Sequence, residues 1–212
     1  MLIAINKLSA GDPRLPRCRA AKCRTVVNSS VVHRKQAYNP VLASTQCIAP
    51  HVMTNLSKIL SLENVQLDIE VSSKKRAFEQ AGLIFENNCG IARSIVSENL
   101  FARERLGSTG LGHGVAVPHG RIKGSKSLKA PLAAFVRLKE AIPFESPDGQ
   151  PVNLLFFLLI PDHVTQQHLE ILSEIAELFS DEAIRTALAT DADPHAVHQR
   201  IINWQPSLQA LG

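Results

Sequence analysis

The chain has 212 residues, of which 45% are hydrophobic and 20% are charged, and its formal net charge is +4. This length and composition are typical of a soluble globular protein with one ordinary domain and a sizeable core. No apolar run approaches the roughly 20 residues that span a bilayer, and the N-terminus lacks the continuous apolar segment of a secretory signal. The sequence therefore argues against a secreted or membrane-spanning protein, and we expect a cytoplasmic one without membrane insertion.

Residues 1–52 differ from the rest of the chain in charge. They carry eight Lys and Arg residues against a single acid, Asp12, whereas the remaining residues carry 15 basic and 18 acidic side chains. Their scattered Pro, Arg and Ser and their lack of periodicity favour poor order. We interpret them as a basic, disordered N-terminal extension or a start-site artefact, because Met53 is the only other methionine and the regular pattern begins there. The alternative is a basic arm for nucleic acid or anionic lipid; we expect no nucleic-acid partner.

The cysteines lack the close paired spacing of a zinc site. Three of the four lie in the first fifty residues, Cys18, Cys23 and Cys47, and the fourth is Cys89. We therefore expect free thiols in a reducing cytosol, with no metal and no cofactor.

The first elements predicted after Met53 are one strand and two helices. Residues 65–71 alternate apolar and polar side chains, as a half-buried strand does. Ser73 can cap a helix that runs to about residue 87, with an apolar face formed by Ala77, Phe78, Ala81, Ile84 and Phe85. A break at residues 88–90 separates it from a second helix, about 91–105, whose buried side is predicted to contain Ile91, Ile95, Val96, Phe101 and Ala102.

A loop with four glycines, residues 107–114, precedes the remaining predicted strands. A short strand over residues 115–117 follows the loop. Two stronger strands are predicted over residues 132–138 and 152–160, with a turn at residues 144–149 between them. The last strand is nearly all apolar, which is typical of a strand in a sheet that is covered on both faces.

Three helices are predicted to close the chain. The first starts near Thr165 and is expected to bury Leu169, Leu172, Ile175, Ala176 and Phe179. The second runs over about residues 181–189, and the third begins with a cap and a helix-initiating proline at Asp193 and Pro194 and ends near Trp204. Helices before, between and after several strands indicate a layered α/β sandwich.

His119 is the residue best suited to carry a transferable group. One imidazole nitrogen stays nucleophilic near neutral pH, and a phosphohistidine bond is labile, as a carrier requires. Pro118 stiffens the chain before His119, and Gly120 leaves the backbone after it uncrowded. The glycine-rich loop can point N–H groups at an anion, and Arg103 can supply a guanidinium group. Taken alone, a histidine between proline and glycine is more often a turn residue.

A second histidine, His168, is predicted to lie in the first turn of the helix that starts near Thr165. At that place the positive end of the helix dipole favours a neutral ring and a nearby anion. The two histidines could therefore serve one anionic site.

The residues around His119 resemble a known family. Residues 103–122 closely resemble the active-site block of the mannitol/fructose-type IIA proteins of the phosphotransferase system, most of all the nitrogen-related, PtsN-type branch; they read Arg-Glu-Arg-Leu-Gly-Ser-Thr-Gly-Leu-Gly-His-Gly-Val-Ala-Val-Pro-His-Gly-Arg-Ile. Residues 150–161 and 167–169 are similar to that branch as well. The resemblance runs from about Met53 to Trp204. It implies a IIA type-2 domain over residues 53–212 and an α/β layered sandwich with a central mixed β-sheet flanked by helices, the mannitol-type IIA fold.

The resemblance also implies a role for each matching residue. His119 is the phosphoryl acceptor and becomes a tele-phosphohistidine through its Nε2, His168 assists, and Arg103 stabilises charge. Three loop residues are expected to line the phosphate pocket: Ser108, Thr109 and Gly110. His113 stands where the nitrogen-related branch often has Asn, and we interpret it as a surface loop residue and not as a participant.

Other histidines and charges have simpler interpretations. Three histidines are expected to be solvated: His163, His195 and His198. The last two are spaced i, i+3 and could bind a metal only with a third ligand, which the sequence does not offer. A basic stretch follows His119 and comprises Arg121, Lys123, Lys126 and Lys129. It is either a solvated loop or a surface that steers an acidic rim of a phosphoryl-donor protein, and the sequence leaves both open.

The function that the resemblance implies is a regulatory phosphocarrier of the nitrogen-related phosphotransferase system. It would accept phosphate from an HPr-like protein at His119 and control partners, such as potassium-transport or kinase regulators, by its phosphorylation state. The alternative is a sugar IIA component, of the fructose or mannitol type, that passes phosphate to a IIB domain. A nucleotide-binding enzyme is disfavoured because the loop lacks a Walker-type Gly-Lys-Ser/Thr sequence and opens no long helix.

Overall fold

The computed structural model describes residues 54–123, 128–162 and 166–205. The expectations for residues 1–52, Thr165, His163 and Lys126 lie outside the described residues. Within the described ranges, no helix is long and apolar enough to cross a membrane.

The first four elements are α1 (Asn55–Ile59), β1 (Leu60–Ile69), α2 (Lys74–Cys89) and α3 (Arg93–Glu104). The predicted strand and both predicted helices are confirmed, and Ser73 caps α2 by accepting a hydrogen bond from the Arg76 N–H at 3.3 Å. Gly90 follows α2 in the left-handed conformation, with φ 67°, which glycine adopts without steric cost. The sequence does not predict α1, because its five residues are too few to show a helical period.

The strands after α3 are β2 (Gly110–Gly112), β3 (Val115–Ala116), β4 (His119–Ile122), β5 (Leu132–Ile142) and β6 (Val152–Pro161). β6 pairs antiparallel with β5 on one side and parallel with both β3 and β4 on the other. β1 pairs with β5 in parallel and β2 pairs with β3 antiparallel, so the predicted mixed sheet is confirmed. β2 and β4 are not predicted, because short strands that contain glycine show no alternation.

Three helices follow β6: α4 (Gln166–Ser180), α5 (Glu182–Thr190) and α6 (Pro194–Ile202). The carboxylates of Asp181 and Asp193 cap α5 and α6 by accepting hydrogen bonds from first-turn N–H groups. Pro194 is the first residue of α6, as its position after Asp193 predicts. All three predicted helices are therefore confirmed.

The buried faces of α3 and α4 differ in part from the prediction. Four side chains predicted to be buried are exposed: Ile95, Ala102, Leu169 and Ala176. The side chains that pack into the core beside the correctly predicted ones are Leu100, Ile171 and Leu178. The prediction is wrong at these positions because each helix carries two adjacent apolar stripes, and spacing alone does not show which one faces the sheet.

Two apolar cores cover the two faces of the sheet. On one face, α2 and α3 pack against alternate side chains of β6, which are Leu155, Phe157 and Leu159. On the other face, α1, α4, α5 and α6 pack against the intervening ones, which are Leu154, Phe156, Leu158 and Ile160. The layered α/β sandwich is therefore confirmed, and β6 is covered on both faces as its apolar sequence predicts.

Candidate active site

His119 lies where the edge of the sheet is interrupted. β3 pairs with residues 154 and 155 of β6, and β4 pairs with residues 158 to 161 of the same strand. The chain leaves the sheet briefly between them, although the Pro118 carbonyl still accepts a hydrogen bond from the Leu158 N–H at 3.0 Å. His119 is the first residue after this interruption, and its side chain is half-buried.

The two nitrogens of the His119 ring have different partners. Nδ1 lies 2.9 Å from the Val117 carbonyl oxygen. Because a carbonyl can only accept a hydrogen bond, Nδ1 carries the proton in the neutral ring. Nε2 then presents its lone pair, which accepts a hydrogen bond from Arg103 Nε at 3.1 Å. The nucleophilic nitrogen of this ring is therefore Nε2.

Arg103 reaches His119 because α3 packs directly against β4. A Cβ atom added to Gly120 would lie 3.1 Å from the Asn99 carbonyl carbon and 3.2 Å from the Leu100 nitrogen. A side chain here would therefore press against the α3 backbone and push it away by a few tenths of an ångström. Arg103 follows one turn later on α3, and its Nη1 donates to the Gly107 carbonyl at 2.9 Å. The guanidinium is thus held between the glycine-rich loop and His119.

His168 lies beside His119, as the family resemblance implied. It is the third residue of α4, within the first turn, and the two ring centroids lie 5.7 Å apart at an interplanar angle of 63°. Its Nε2 is buried and has no hydrogen-bond partner among the described residues. A ligand that accepts or donates a hydrogen bond at this nitrogen would satisfy it.

Burial favours the neutral form of both rings. Burial lowers the pKa of His119 below its ordinary value of about 6.5, and the Arg103 charge acts in the same direction. The hydrogen bond to Val117 and the charge of Glu104 oppose this shift. Burial also lowers the pKa of His168. Protonation of the neighbouring His119 ring and the charges of Arg121 and Arg103 would act in the same direction. A neutral His119 is nucleophilic at neutral pH, which a phosphoryl acceptor requires.

The three predicted loop residues line the same cavity as Arg103 and His119: Ser108, Thr109 and Gly110. Their polar groups have partners within the protein. The Ser108 hydroxyl donates to the Phe144 carbonyl at 2.8 Å, the Gly110 N–H donates to Ser108 Oγ at 3.2 Å, and the Thr109 hydroxyl donates to Glu104 at 2.6 Å. Their role as phosphate ligands stays a prediction.

Glu104 is a polar residue near the site that the sequence did not single out. Its side chain is only 8% exposed, and its carboxylate accepts hydrogen bonds from both the N–H and the hydroxyl of Thr109 and pairs with Lys74 at 2.8 Å. No local sequence pattern reveals this arrangement, because Lys74 precedes Glu104 by thirty residues.

His113 is exposed and lies in the turn between β2 and β3. Its φ of 53° is in the left-handed region, which Asn and His tolerate better than most residues. Its N–H donates to Asp148 at 2.6 Å. The backbone therefore explains why Asn or His suits this position.

The remaining basic residues take different environments. His195 is exposed as expected, whereas the expectation for His198 is wrong, since it is half-buried with Nε2 3.0 Å from the Leu60 carbonyl oxygen and Nδ1 buried. No group of three potential metal ligands exists within the described ranges. Arg121, Lys123 and Lys129 are exposed.

Comparison with known proteins gives consistent results. Residues 58–204 match the family model described as phosphoenolpyruvate-dependent sugar phosphotransferase system, EIIA 2. The chain is 37% identical over 154 residues to the nitrogen regulatory protein of Pseudomonas aeruginosa. The aligned stretch covers 72% of this chain and 98% of that protein.

Two solved structures share the fold. The nitrogen regulatory protein IIA-Ntr of Neisseria meningitidis is 47% identical, with a TM-score of 0.63 over 68% of this chain and 97% of that one. The mannitol IIA of Escherichia coli is 20% identical, with a TM-score of 0.57 over 66% of this chain and 97% of that one. The second likeness concerns the fold alone and agrees with the predicted mannitol-type architecture.

Proposed function

The chain belongs to the EIIA type-2 family of the phosphoenolpyruvate-dependent sugar phosphotransferase system, and from this premise we propose that it is a regulatory phosphocarrier of the nitrogen-related kind. His119 accepts a phosphoryl group from an HPr-like phosphoprotein, and the phosphorylation state of the chain controls its partners. The observation that carries the proposal is the orientation of the His119 ring, with Nδ1–H fixed on the Val117 carbonyl and the lone pair of Nε2 directed at Arg103.

The reaction follows from this orientation. The lone pair of His119 Nε2 attacks phosphorus, a P–Nε2 bond forms, and the P–N bond of the donor breaks, so its electron pair returns to the donor's ring nitrogen. The accepting ring becomes positively charged while it keeps its Nδ1 proton. The Val117 carbonyl, 2.9 Å from Nδ1, stabilises that charge. Positioning and electrostatic stabilisation account for most of the catalysis in such a transfer.

Arg103 and His168 act on the phosphoryl oxygens. Arg103 gives up its hydrogen bond to Nε2 when the phosphoryl group arrives, and its guanidinium, still held by Gly107, neutralises charge on the group. His168 supplies a ring nitrogen from the other side, where its buried Nε2 has no partner in the described part of the chain. The loop of Ser108, Thr109 and Gly110 forms the adjoining wall.

The regulatory readout is electrostatic. Phosphorylation adds about −1.5 to −2 charges to a surface that contains exposed apolar side chains, among them Leu111, 44% exposed, and Leu169, 60% exposed. A partner that buries such side chains against the unmodified site has to desolvate the phosphoryl group in the modified one, which is costly. Potassium-transport and kinase regulators are the partner types that we propose.

We propose that this activity resides in residues 53–212. The first described element begins at Asn55, and the family match covers residues 58–204. A protein that starts at Met53 should then accept phosphate as well as the full chain does.

A sugar IIA role is the second candidate, because the family is described by its sugar phosphotransferase system. In that role phospho-His119 would pass its phosphoryl group to a IIB domain of the fructose or mannitol type. The identity to relatives named nitrogen regulatory protein favours the regulatory candidate.

The test combines the chain with phosphorylated HPr-like proteins of the nitrogen and sugar types and locates phosphate by mass spectrometry. We expect phosphate on His119, with faster labelling by the nitrogen-type donor. Rapid onward transfer from phospho-His119 to a sugar IIB domain would refute the regulatory role, and absence of label from both donors would refute the carrier itself.

A further inference from the structure

Glu104 is a buried carboxylate that the proposed phosphoryl transfer does not use. It is the last residue of α3, its side chain is only 8% exposed, and it follows Arg103 directly. A buried carboxylate is destabilising unless it is paired and hydrogen-bonded. The side chain of Glu104 therefore needs a charged partner and hydrogen-bond donors.

Lys74 and Thr109 satisfy this carboxylate. Lys74, at the start of α2, places Nζ 2.8 Å from one oxygen of Glu104. The other oxygen accepts hydrogen bonds from the Thr109 N–H at 3.1 Å and from its hydroxyl at 2.6 Å. Lys74 also lies 4.4 Å from the centroid of the Phe144 ring, which restricts its position. In all three hydrogen bonds the carboxylate of Glu104 is the acceptor.

A hydrogen-bonded chain runs from Glu104 to Nδ1 of His119. The Thr109 backbone, fixed by Glu104, accepts a hydrogen bond at its carbonyl from the Val117 N–H at 3.0 Å. The Val117 carbonyl in turn accepts from His119 Nδ1 at 2.9 Å. These contacts keep the proton on Nδ1 and leave Nε2 unprotonated, and Glu104 is the last residue in this chain of hydrogen bonds.

The opposite side of the ring depends on the same segment. The Gly107 N–H donates to the Glu104 carbonyl at 3.1 Å, and the Gly107 carbonyl accepts from Arg103 Nη1 at 2.9 Å. Arg103 Nε then donates to His119 Nε2. The backbone carbonyl of Glu104 thus holds Gly107, and its side chain holds Thr109, at the two ends of the segment that contacts the His119 ring. Only the Thr109 contacts depend on the carboxylate.

We propose that Glu104, paired with Lys74, is a positioning residue that fixes the tautomer and orientation of His119 through Thr109 and Val117. It does not touch the phosphoryl group. The proposal rests on the proposed function for its effect on transfer, whereas its effect on the His119 ring is independent of that function.

The test compares Glu104→Gln with Glu145→Gln as a matched control. Glu145 also contacts Lys74, at 3.2 Å, but its side chain is 85% exposed. We expect the ¹⁵N spectrum of the wild-type His119 ring to show the Nδ1–H tautomer. In Glu104→Gln it should show a mixture of the two tautomers, and the transfer rate constant at saturating donor should fall by up to about a hundredfold, because a small misplacement of the nucleophile has that effect. Glu145→Gln should match the wild type in both measurements.

Two further variants keep the test decisive if Glu104→Gln fails to fold. Thr109→Val removes the hydroxyl hydrogen bond to Glu104 and preserves the shape of the side chain, so it should shift the ring spectrum in the same direction, whereas Thr109→Ser should restore it. A wild-type tautomer and rate in both Glu104→Gln and Thr109→Val would overturn the proposal, as would a lower unfolding temperature with an unchanged His119 spectrum. If no donor labels the wild type, the carrier function fails and the ring spectra still decide the role of Glu104.

Discussion

The centre of the sheet and the edge that contains His119 are stabilised by different interactions. β5 and β6 pair over most of their lengths, and the side chains of β6 are buried on both faces. β3 and β4 have two and four residues. The chain around them is held by hydrogen bonds that Arg103 and Ser108 donate and that the Glu104 carboxylate accepts. The centre is stabilised mainly by apolar burial, which is worth about 25 cal/mol per Å². At the edge the buried side chains of Val115 and Ile122 are supplemented by these polar contacts.

The centre of the sheet supplies most of the stability, and the edge that contains His119 supplies the proposed chemistry. A phosphoryl acceptor has to be accessible to another protein and surrounded by polar groups, both of which are unfavourable in a close-packed core. The edge strands contribute Val115 and Ile122 to the two apolar layers, whereas the polar side chains around His119 belong to neither. Changes at these polar side chains should therefore affect transfer more than unfolding, and changes at the centre should do the reverse.

The largest effect is expected for His119→Ala, which removes the accepting nitrogen. Labelling by a phosphorylated HPr-like donor should fall to background, while the free energy of unfolding in urea should change by no more than about 1 kcal/mol, as is usual for a partly exposed side chain. Persistent labelling of the variant would show that another residue is the acceptor.

The converse change is Phe157→Ala at the centre. Phe157 is fully buried and lies edge-on to Phe78, with ring centroids 6.0 Å apart. The variant should lose about 3–5 kcal/mol in the free energy of unfolding, measured in guanidinium chloride, because it leaves a cavity in the core. The fraction that remains folded should still be labelled at His119. Loss of labelling in the folded fraction would mean that centre and edge are coupled.

A smaller effect on transfer is expected for His168→Ala. The acceptor stays in place, but the ring beside it, 5.7 Å away between centroids, is lost. The rate of transfer should fall by roughly a hundredfold if His168 stabilises the phosphoryl group in the transition state. Rapid-quench kinetics measure this rate, and His195→Ala, at an exposed histidine of α6, is the matched control. Equal rates in both variants would make His168 a spectator.

The same contrast explains what the sequence could predict. The strand β6 and the helix α2 could be predicted from the sequence, because an apolar run, a helical period and a cap each involve residues close together in the chain. The association of His119, Arg103 and His168 followed from the family resemblance, since contacts between residues up to about fifty positions apart leave no local pattern. Glu104 was missed for this reason: its environment depends on Lys74 in another helix. Leu169 and Ala176 of α4 were wrongly predicted to be buried because two apolar stripes lie side by side on that helix.

The smallest expected effect is the dependence of stability on pH. It tests whether His119 and His168 are buried deeply enough to lower their pKa values in the folded protein. The pKa values of His119 and His168 are both lowered in the folded protein, chiefly by burial. The unfolded chain therefore binds protons at these rings at a higher pH than the folded chain does, so stability should fall as the pH drops below about 6.5 and should not depend on these rings above it. Urea unfolding between pH 7.5 and 5.5 measures the slope in the wild type and in the double variant His119→Gln/His168→Gln. The variant cannot take up those protons, so its stability should decline less steeply over this range. Equal slopes would mean that the two rings titrate alike in the folded and unfolded chains, and that burial at the edge is too slight to keep His119 neutral.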